Sequence, residues 1–144
     1  MPNRPISQVI QARPFISLPR DTPASMAAGL MKSLHQDSVI VVDEGRIVGI
    51  CTERDFVIKL IAEGLSPDRT ALSQIMTPCP ESITADRPLV HALHAMLDGG
   101  YRHLPVVDAE DRPLGMVSAR DALELEVLET RRELEREEAI REIL

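Results

Sequence analysis

Apolar residues in the second half of the chain recur at the spacing of one helix face. They occupy positions i, i+3, i+4, i+7 and i+8, and they are Leu89, Ala92, Leu93, Met96 and Leu97. This spacing predicts an amphipathic helix that starts after Asp86-Arg87-Pro88 and ends at Gly99-Gly100. A matching helix is predicted in the first half behind Thr22-Pro23, where the apolar positions are Met26, Ala27, Leu30, Met31 and Leu34.

Short β-branched and aliphatic runs follow each predicted helix. Residues 39–42 and 47–51 flank Asp43-Glu44-Gly45-Arg46, a sequence typical of a hairpin turn, and a second hairpin is predicted to turn through residues 108–113. Because these runs are apolar at consecutive positions, we expect the sheets to be covered on both faces. The first hairpin leads into a predicted helix that ends at Gly64 and whose inward-facing residues are Phe56, Val57, Leu60 and Ile61.

The chain contains an internal repeat. At an offset of 65 residues, Val41-Val42-Asp43 matches Val106-Val107-Asp108, and Pro23 matches Pro88. At an offset of 66, residues 49–55 match residues 115–121, and residues 7–10 match residues 73–76. A fixed offset indicates a duplicated supersecondary unit. We therefore predict a first unit over residues 1–70, which ends in the linker 65–70, a second over 71–128, and a charged helix over 129–144.

Composition narrows the possible functions. The 144 residues suffice for a single apolar core, and the 2% aromatic content makes that core aliphatic. The net charge of −7 disfavours nucleic acid and anionic membranes as partners. Most of this charge lies in the tail from Glu124 onward, which contains eight Glu and four Arg. No signal or membrane-spanning pattern is present, so we expect a cytoplasmic protein. The tail is predicted to be helical, either as a solvated extension or as an arm for a dimer or another partner.

The residues with reactive side chains do not form a recognisable catalytic or metal site. Cys51 and Cys79 lie far apart and are expected to be ordinary reduced thiols. His91 and His94 have no Cys or second acidic ligand nearby, so we expect them to be structural or surface residues, as we do His35. Neither a Ser-His-Asp nor a Cys-His arrangement is evident, which predicts a protein that is not an enzyme and needs no cofactor.

Both hairpins end in the pattern Gly-apolar-apolar-Ser/Thr-x-x-Asp directly before a helix. The copies run from Gly49 to Asp55 and from Gly115 to Asp121. One interpretation is structural, since a hydroxyl with a carboxylate three residues later forms a capping box. The other is functional, because a helix N-terminus attracts phosphate and an Asp can accept hydrogen bonds from both hydroxyls of a ribose. The side chains for these roles are Thr52, Arg54, Asp55, Ser118, Arg120 and Asp121. The glycines would permit close approach of another backbone or a flat base.

The duplication of this motif makes the chain resemble the family of tandem cystathionine-β-synthase-type (CBS) repeats. The resemblance runs from about Ile6 to Leu128 and includes Ser73-Gln74-Ile75-Met76-Thr77-Pro78 and the run from Tyr101 to Asp108. It implies an α/β (α+β) fold in which two β-α-β-β-α repeats pair about a pseudo-twofold axis, with a C-terminal helical extension. The clefts between the repeats would hold adenosine ligands.

The resemblance also assigns roles to individual residues. It implies that Asp55 and Asp121 hold ribose, that Thr52 and Ser118 lie near phosphate, and that Ser17 and Ser82 line the adenine pockets. Arg102 and His103 would face the phosphates, and Pro105 belongs to the same segment of the site. Offset 65 places Asp37-Ser38 where the second repeat has Arg102-His103, so we expect unequal sites. Alternatively, Asp37 caps or solvates the end of its own helix.

The function predicted from this resemblance is that of a regulatory sensor. AMP, ADP or ATP would bind in the clefts, shift the repeats and be read by a protein effector, with a homodimer as the expected assembly. The alternatives are a module that senses NAD or S-adenosylmethionine, and a structural or partner-docking dimer whose clefts are empty.

Overall fold

The computed structural model describes residues 4–78 and 81–143, without the side chains of residues 122, 125 and 126. The first half contains α1 (Ile6–Ile10), β1 (Ser17–Pro19), α2 (Ala24–Leu34), β2 (Ser38–Asp43), β3 (Arg46–Thr52) and α3 (Glu53–Asp55), which continues as π-helical turns over Phe56–Ile61. The second half contains α4 (Leu72–Ile75), β4 (Thr77–Pro78), β5 (Ile83–Thr84), α5 (Leu89–Gly99), β6 (His103–Val107), β7 (Pro113–Ser118) and α6 (Ala119–Ile143). The predicted β-α-β-β-α order is confirmed in both halves.

The boundaries of α2 and α5 follow the predicted signals. Each helix begins directly after a proline in extended conformation, Pro23 and Pro88, whose fixed φ suits a helix start. Gly100 ends α5 with a φ of 70°, and its N–H donates to the carbonyl of Met96. His35 takes the same left-handed conformation at the end of α2. A non-glycine residue therefore terminates α2.

The two sheets repeat one pattern of strand pairing. β1 runs parallel to β2, which pairs antiparallel with β3, and β5, β6 and β7 repeat this arrangement. The register is interrupted at matched places, between Val41 and Val42 in one hairpin and between Val106 and Val107 in the other. β4 adds to the first sheet beside β3. The offset found in the sequence therefore corresponds to a real structural duplication.

The short helices that precede each repeat pack crosswise. Ile6 and Val9 of α1 belong to the core of the second repeat, with Leu89, Leu104 and Val117. Correspondingly, α4 contributes Leu72 and Ile75 to the core of the first repeat, which also contains Ala27, Met31, Val39, Val41, Cys51, Phe56 and Leu60. The same exchange joins the backbones, because Ile6 N donates to the Arg87 carbonyl and Leu72 N to the Thr22 carbonyl, both at 2.9 Å. Each core is thus completed by a segment that lies before the other repeat in the sequence.

Strands β2 and β6 are buried on both faces, as their apolar runs predicted, whereas β3 and β7 are buried only in part. Residues 38–41 of β2 and 104–107 of β6 are all buried. Val39 and Val41 face the first core, so Ile40 between them lies on the opposite face of the sheet, and Pro105 occupies the equivalent place in the second.

The prediction was wrong for two residues of the helix after the first hairpin. Phe56 and Leu60 are buried, whereas Val57 and Ile61 are exposed. Phe56 and Leu60 fill the contact with the first core, and the flank that carries Val57 and Ile61 faces away from it. Leu97 of the α5 stripe is also 80% exposed, because α5 buries only the narrower face formed by Leu89, Ala92 and Met96.

Gly49 and Gly115 accommodate side chains of the crossing segments. A Cβ at Gly49 would overlap the sulfur of Met76, and a Cβ at Gly115 would lie 3.0 Å from the Cβ of Ile10. Apolar side chains of the crossing segments therefore approach both glycines closely, and the approach of a flat base stays a prediction.

Candidate functional site

The two motif carboxylates occupy equivalent places at the start of α3 and α6. Asp55 and Asp121 are only 8% and 6% exposed. In each, Oδ2 accepts a hydrogen bond from the backbone N–H three residues earlier, at 2.9 Å from Thr52 N and 2.8 Å from Ser118 N. The helix that follows cannot satisfy these N–H groups, so the carboxylates stabilise both helix starts. The structural interpretation of the motif is thus confirmed for this part of the capping box.

The second oxygen of each carboxylate contacts a cation, and the two cations come from different parts of the fold. Asp55 Oδ1 lies 3.0 Å from Lys59 Nζ, one turn further along the same helix, and 3.5 Å from the hydroxyl of Thr77. Asp121 Oδ1 lies 2.7 Å from Nη1 of Arg13, which stands between α1 and β1. Both buried anions are therefore compensated by cations of the chain itself.

The remaining residues of the two motifs are more accessible. Thr52 and Ser118 are half-buried, and Arg54 and Arg120 are exposed on the first helical turns. The N–H of Glu53 donates to the Asp37 carbonyl at 3.1 Å, and the N–H of Ala119 donates to the Arg102 carbonyl at 2.9 Å. Part of each helix N-terminus is therefore already used by the residue just before the first strand of the hairpin.

Asp37 and His103 belong to the segments in which the two repeats differ in charge. Asp37 of the first repeat contacts His103 of the second. His103 Nε2 lies 3.2 Å from Asp37 Oδ2, near enough for an ion pair when the imidazole is protonated. This buried nitrogen makes no hydrogen bond within the described part of the chain. The Asp37 side chain thus lies beside His103 of the other repeat and is also 46% exposed to water, so both interpretations of Asp37 stay predictions.

The remaining predicted residues lie on strands or beside them. Ser17 begins β1 opposite Ile40 and is exposed, and Ser82 is exposed just before β5. Arg102 is exposed before β6, and Pro105 is fully buried within it. The structure brings Thr52 and Asp55 together, and likewise Ser118 and Asp121. The roles of all these residues toward a ligand stay predictions.

Sequence reasoning did not find Arg13, Lys59 or Thr77. Lys59 stands four residues after Asp55, the spacing of a helical ion pair, and that signal could have found it. Arg13 lies 108 residues from Asp121, and only the crosswise path of the chain brings them together. Thr77 reaches Asp55 by the same kind of path, through β4.

Cys51 lies in β3 beside the first motif. Burial, followed by the nearby charge of Asp55, raises the pKa of its thiol to about 12, while Lys59 acts in the opposite direction. A neutral thiol of this kind is a poor nucleophile. Cys79 lies outside the described residues. Within the described ranges, no three His, Cys, Asp or Glu side chains cluster as metal ligands, and no helix has the length and apolarity to cross a membrane.

Two duplicated β-α-β-β-α units, which exchange their leading helices and carry a carboxylate at matched helix starts, define a paired-repeat α/β module. The family model that describes the CBS domain matches residues 6–62 and again residues 72–127. The chain therefore belongs to the CBS domain family and contains a tandem pair of its repeats.

Similar proteins come from plants and archaea. The CBS domain-containing protein CBSCBSPB3 of Arabidopsis thaliana is 39% identical over 88 residues, which are 61% of this chain and 16% of the plant protein. The uncharacterized protein MK0525 of Methanopyrus kandleri is 30% identical over 121 residues, which are 84% of this chain and 62% of that protein. The chain thus spans about a sixth of the length of the plant relative.

Solved structures with this fold include one with adenosine compounds. The CBS domain pair of protein MJ0100, in complex with 5′-methylthioadenosine and S-adenosyl-L-methionine, superposes with a TM-score of 0.75 at 26% identity, covering 86% of this chain and 96% of the other. An uncharacterized conserved protein from Pyrococcus horikoshii also gives 0.75 at 25% identity, covering 88% and 94%.

Proposed function

We propose that this CBS pair is a regulatory sensor that binds an adenosine-containing small molecule, with AMP, ADP or ATP as the ligand, at the clefts beside Asp55 and Asp121. The observation that carries the proposal is the duplicated buried carboxylate. Its Oδ2 is fixed on a backbone N–H, while its Oδ1 contacts a cation that is still partly exposed. Vicinal sugar hydroxyls are donors that could replace such a cation at Oδ1. The complex of the MJ0100 pair with adenosine compounds supports this ligand class.

Charge would favour a ligand with few phosphates. The exposed Arg54 and Arg120 are placed on the first turns of the two helices, where each could neutralise one phosphate group. Asp37 lies between the repeats beside His103 and would repel a longer polyphosphate. We therefore expect AMP to bind more tightly than ATP in the absence of a divalent metal.

A second candidate ligand is S-adenosylmethionine, and Asp37 favours it. This compound carries a sulfonium and an amino group, and a carboxylate attracts both. The MJ0100 complex contains this compound as well as its uncharged relative 5′-methylthioadenosine. NAD stays a third possibility that the same assay covers.

Binding would stabilise the folded chain and shift the relative position of the repeats. A ligand at 100 times its Kd contributes about 2.7 kcal/mol, which for a chain of this size raises the thermal midpoint by roughly 5–10 °C. The test is a thermal-shift panel of AMP, ATP, NAD, S-adenosylmethionine and 5′-methylthioadenosine. We expect a shift with at least one of them, and no shift with any would refute the proposal.

Variants connect the shift to the two carboxylates. Asp55→Asn and Asp121→Asn should each abolish ligand binding at one cleft. The double variant should therefore lose the ligand-induced shift of the thermal midpoint. Glu53→Gln is the matched control, because Glu53 is exposed on the same helical turn as Asp55 and has the same charge. An unchanged shift in the double variant would remove both carboxylates from the ribose role.

We further propose that the protein is a cytoplasmic homodimer that passes the signal to a protein effector and catalyses no reaction. Several large aliphatic side chains on helices are exposed and available for such an interface, among them Met26, Val57, Ile58, Ile61 and Leu97. The rival function is a docking module with empty clefts. Such a module would bind the same amount of partner with and without adenosine compounds. A sensor would bind more or less of its partner when the ligand is added.

A further inference from the structure

The ion pair between Arg13 and Asp121 joins the segment that enters the first repeat to the helix start of the second. Arg13 Nη1 lies 2.7 Å from Asp121 Oδ1, on the oxygen that the N–H of Ser118 leaves free. The Asp121 side chain is 6% exposed and that of Arg13 is 37% exposed. The carboxylate is thus held inside the protein, while water can reach the cation that covers it.

The equivalent contact in the first repeat has a different origin. Lys59 pairs with Asp55 from four residues along the same helix, whereas position 125, at offset 66 from Lys59, is a leucine and cannot replace it. Conversely, position 79, at the same offset from Arg13, is a cysteine. Each repeat therefore has its own cation for the same carboxylate oxygen, local in one and distant in the other.

We infer that Arg13 competes with the sugar of a ligand for Asp121 at the second cleft. This competition makes the two clefts unequal. This inference rests on the proposed function and deepens it, because it names the residue that a ligand must displace. Sugar hydroxyls and the guanidinium compete for Asp121 Oδ1, because the other oxygen, Oδ2, already accepts the N–H of Ser118. Displaced Arg13 moves into solvent, which its present exposure already allows.

The competition selects the chemistry of the ligand. A buried carboxylate that loses its cation must receive hydrogen bonds in exchange, because an uncompensated buried charge is costly. A ribose with both hydroxyls free supplies two donors, whereas a 2′-deoxyribose supplies one. The second cleft therefore accepts ribosides and rejects 2′-deoxyribosides more strongly than a cleft without Arg13 would.

The test uses adenosine, which has no phosphate, so that Arg13 cannot gain a new ionic contact with the ligand. Binding is measured by calorimetry in the Asp55→Asn background, where the second cleft is the one that retains its carboxylate. Arg13→Gln should lower the Kd for adenosine by roughly 3- to 30-fold, the range expected for a charged contact that is partly screened by water. Arg20→Gln in the same background is the matched control, because Arg20 forms an exposed ion pair with Asp43 outside both motifs, and it should leave the Kd unchanged.

A second measurement needs no substitution of Arg13. Salt weakens an ion pair but hardly affects the binding of a neutral ligand, so raising the ionic strength should tighten adenosine binding in the Asp55→Asn protein. The trend should disappear in the protein that also carries Arg13→Gln. Circular dichroism verifies that each variant is folded.

The outcomes separate this inference from the proposed function. Adenosine binding that Arg13→Gln leaves unchanged or weakens, together with no tightening by salt, overturns the competitor role while the sensor proposal stands. If neither adenosine nor any compound of the thermal-shift panel binds the unmodified protein, the proposed function itself is refuted, and the inference falls with it.

Discussion

At the scale of single residues, the surroundings of Cys51 determine its chemistry. The thiol is fully buried in β3, and burial raises its pKa to about 12. In a Cys79→Ser variant, where Cys51 is the remaining thiol, we expect no labelling by a disulfide reagent at pH 8 in the native state and rapid labelling in denaturant. Labelling of the native protein at the rate of the denatured one would contradict this prediction.

The same pKa predicts how stability changes in alkali. Well below pH 9 the thiol is neutral in both the folded and the unfolded state, so Cys51 contributes no pH dependence there. As the pH rises from about 9 toward 12, the unfolded chain loses this proton first, and the free energy of unfolding falls. Unfolding in urea across this range should show a smaller decline for Cys51→Ala than for the parent protein. Equal slopes would show that other groups cause the decline.

The sequence predicted the motif residues but not all of their contacts. Asp55 and Asp121 were predicted at helix starts because a hydroxyl residue three positions earlier is a local signal. Arg13 gave no such signal, since its contact with Asp121 depends on how the chain crosses between the repeats. Local chemistry is readable from local sequence, whereas a contact between distant residues requires the tertiary path.

At the scale of elements, the crossing segments pack closely against the sheets at glycine positions. A Cβ at Gly115 would lie 3.0 to 3.2 Å from three carbons of Ile10. Ile10 is β-branched and cannot easily turn away, so Gly115→Ala should destabilise the protein by about 1–3 kcal/mol. The change is measured by urea unfolding.

Two further variants test the cause of this loss. Gly29→Ala is the control, because Gly29 lies in α2 with no atom near its Cβ position, and alanine there should stabilise the helix by up to about 1 kcal/mol. Ile10→Ala should lower the free energy of unfolding less in the Gly115→Ala background than alone. The smaller side chain at position 10 makes room for the new Cβ at position 115. Additive costs would show that Ile10 and Gly115 do not interact.

The crosswise helices give a prediction about where stability resides. Ile6 lies ahead of the first repeat but is completely buried in the core of the second. Ile6→Ala should lower the free energy of unfolding by about 2–5 kcal/mol, as for other buried aliphatic residues, whereas Ser7→Ala on the exposed side of α1 should have little effect.

Hydrogen exchange can locate this effect. In the Ile6→Ala protein, amides of β6 and β7 should lose more protection than those of β2 and β3, because Ile6 packs against the second sheet. Loss of protection confined to the first sheet would contradict the exchange of segments.

The order and type of the elements could be predicted because each depends on a local period. The stripe from Leu89 to Met96 repeats at helical spacing, and residues 39–42 are apolar at consecutive positions. The exchange of α1 and α4 could not be predicted in this way, because two equivalent repeats offer equivalent places for either helix. Which core each helix completes is determined by the length and path of the connecting segments.

At the scale of the whole molecule, α6 extends well beyond the second repeat. All the described residues from 129 to 143 are exposed, and the stretch consists mainly of Glu and Arg. Deleting residues 129–144 should therefore shift the thermal midpoint by only a degree or two, since exposed positions change stability by about 0.5 kcal/mol or less. A large drop would show that the tail supports the fold.

The same truncation distinguishes two possible dimer surfaces. Val57, Ile58 and Ile61 lie together on the segment after α3, and each exposes about half of its side chain or more, while the apolar residues of the tail are separated by charges. An interface gains most from contiguous apolar area. Sedimentation should therefore give a dimer for the truncated chain and a monomer for Ile61→Glu, a substitution at a 67% exposed position that should leave the fold intact. Dimeric Ile61→Glu together with a monomeric truncated chain would instead place the interface on the tail. In that case α6 would couple the occupancy of the second cleft to assembly, because Asp121 lies in its first turn.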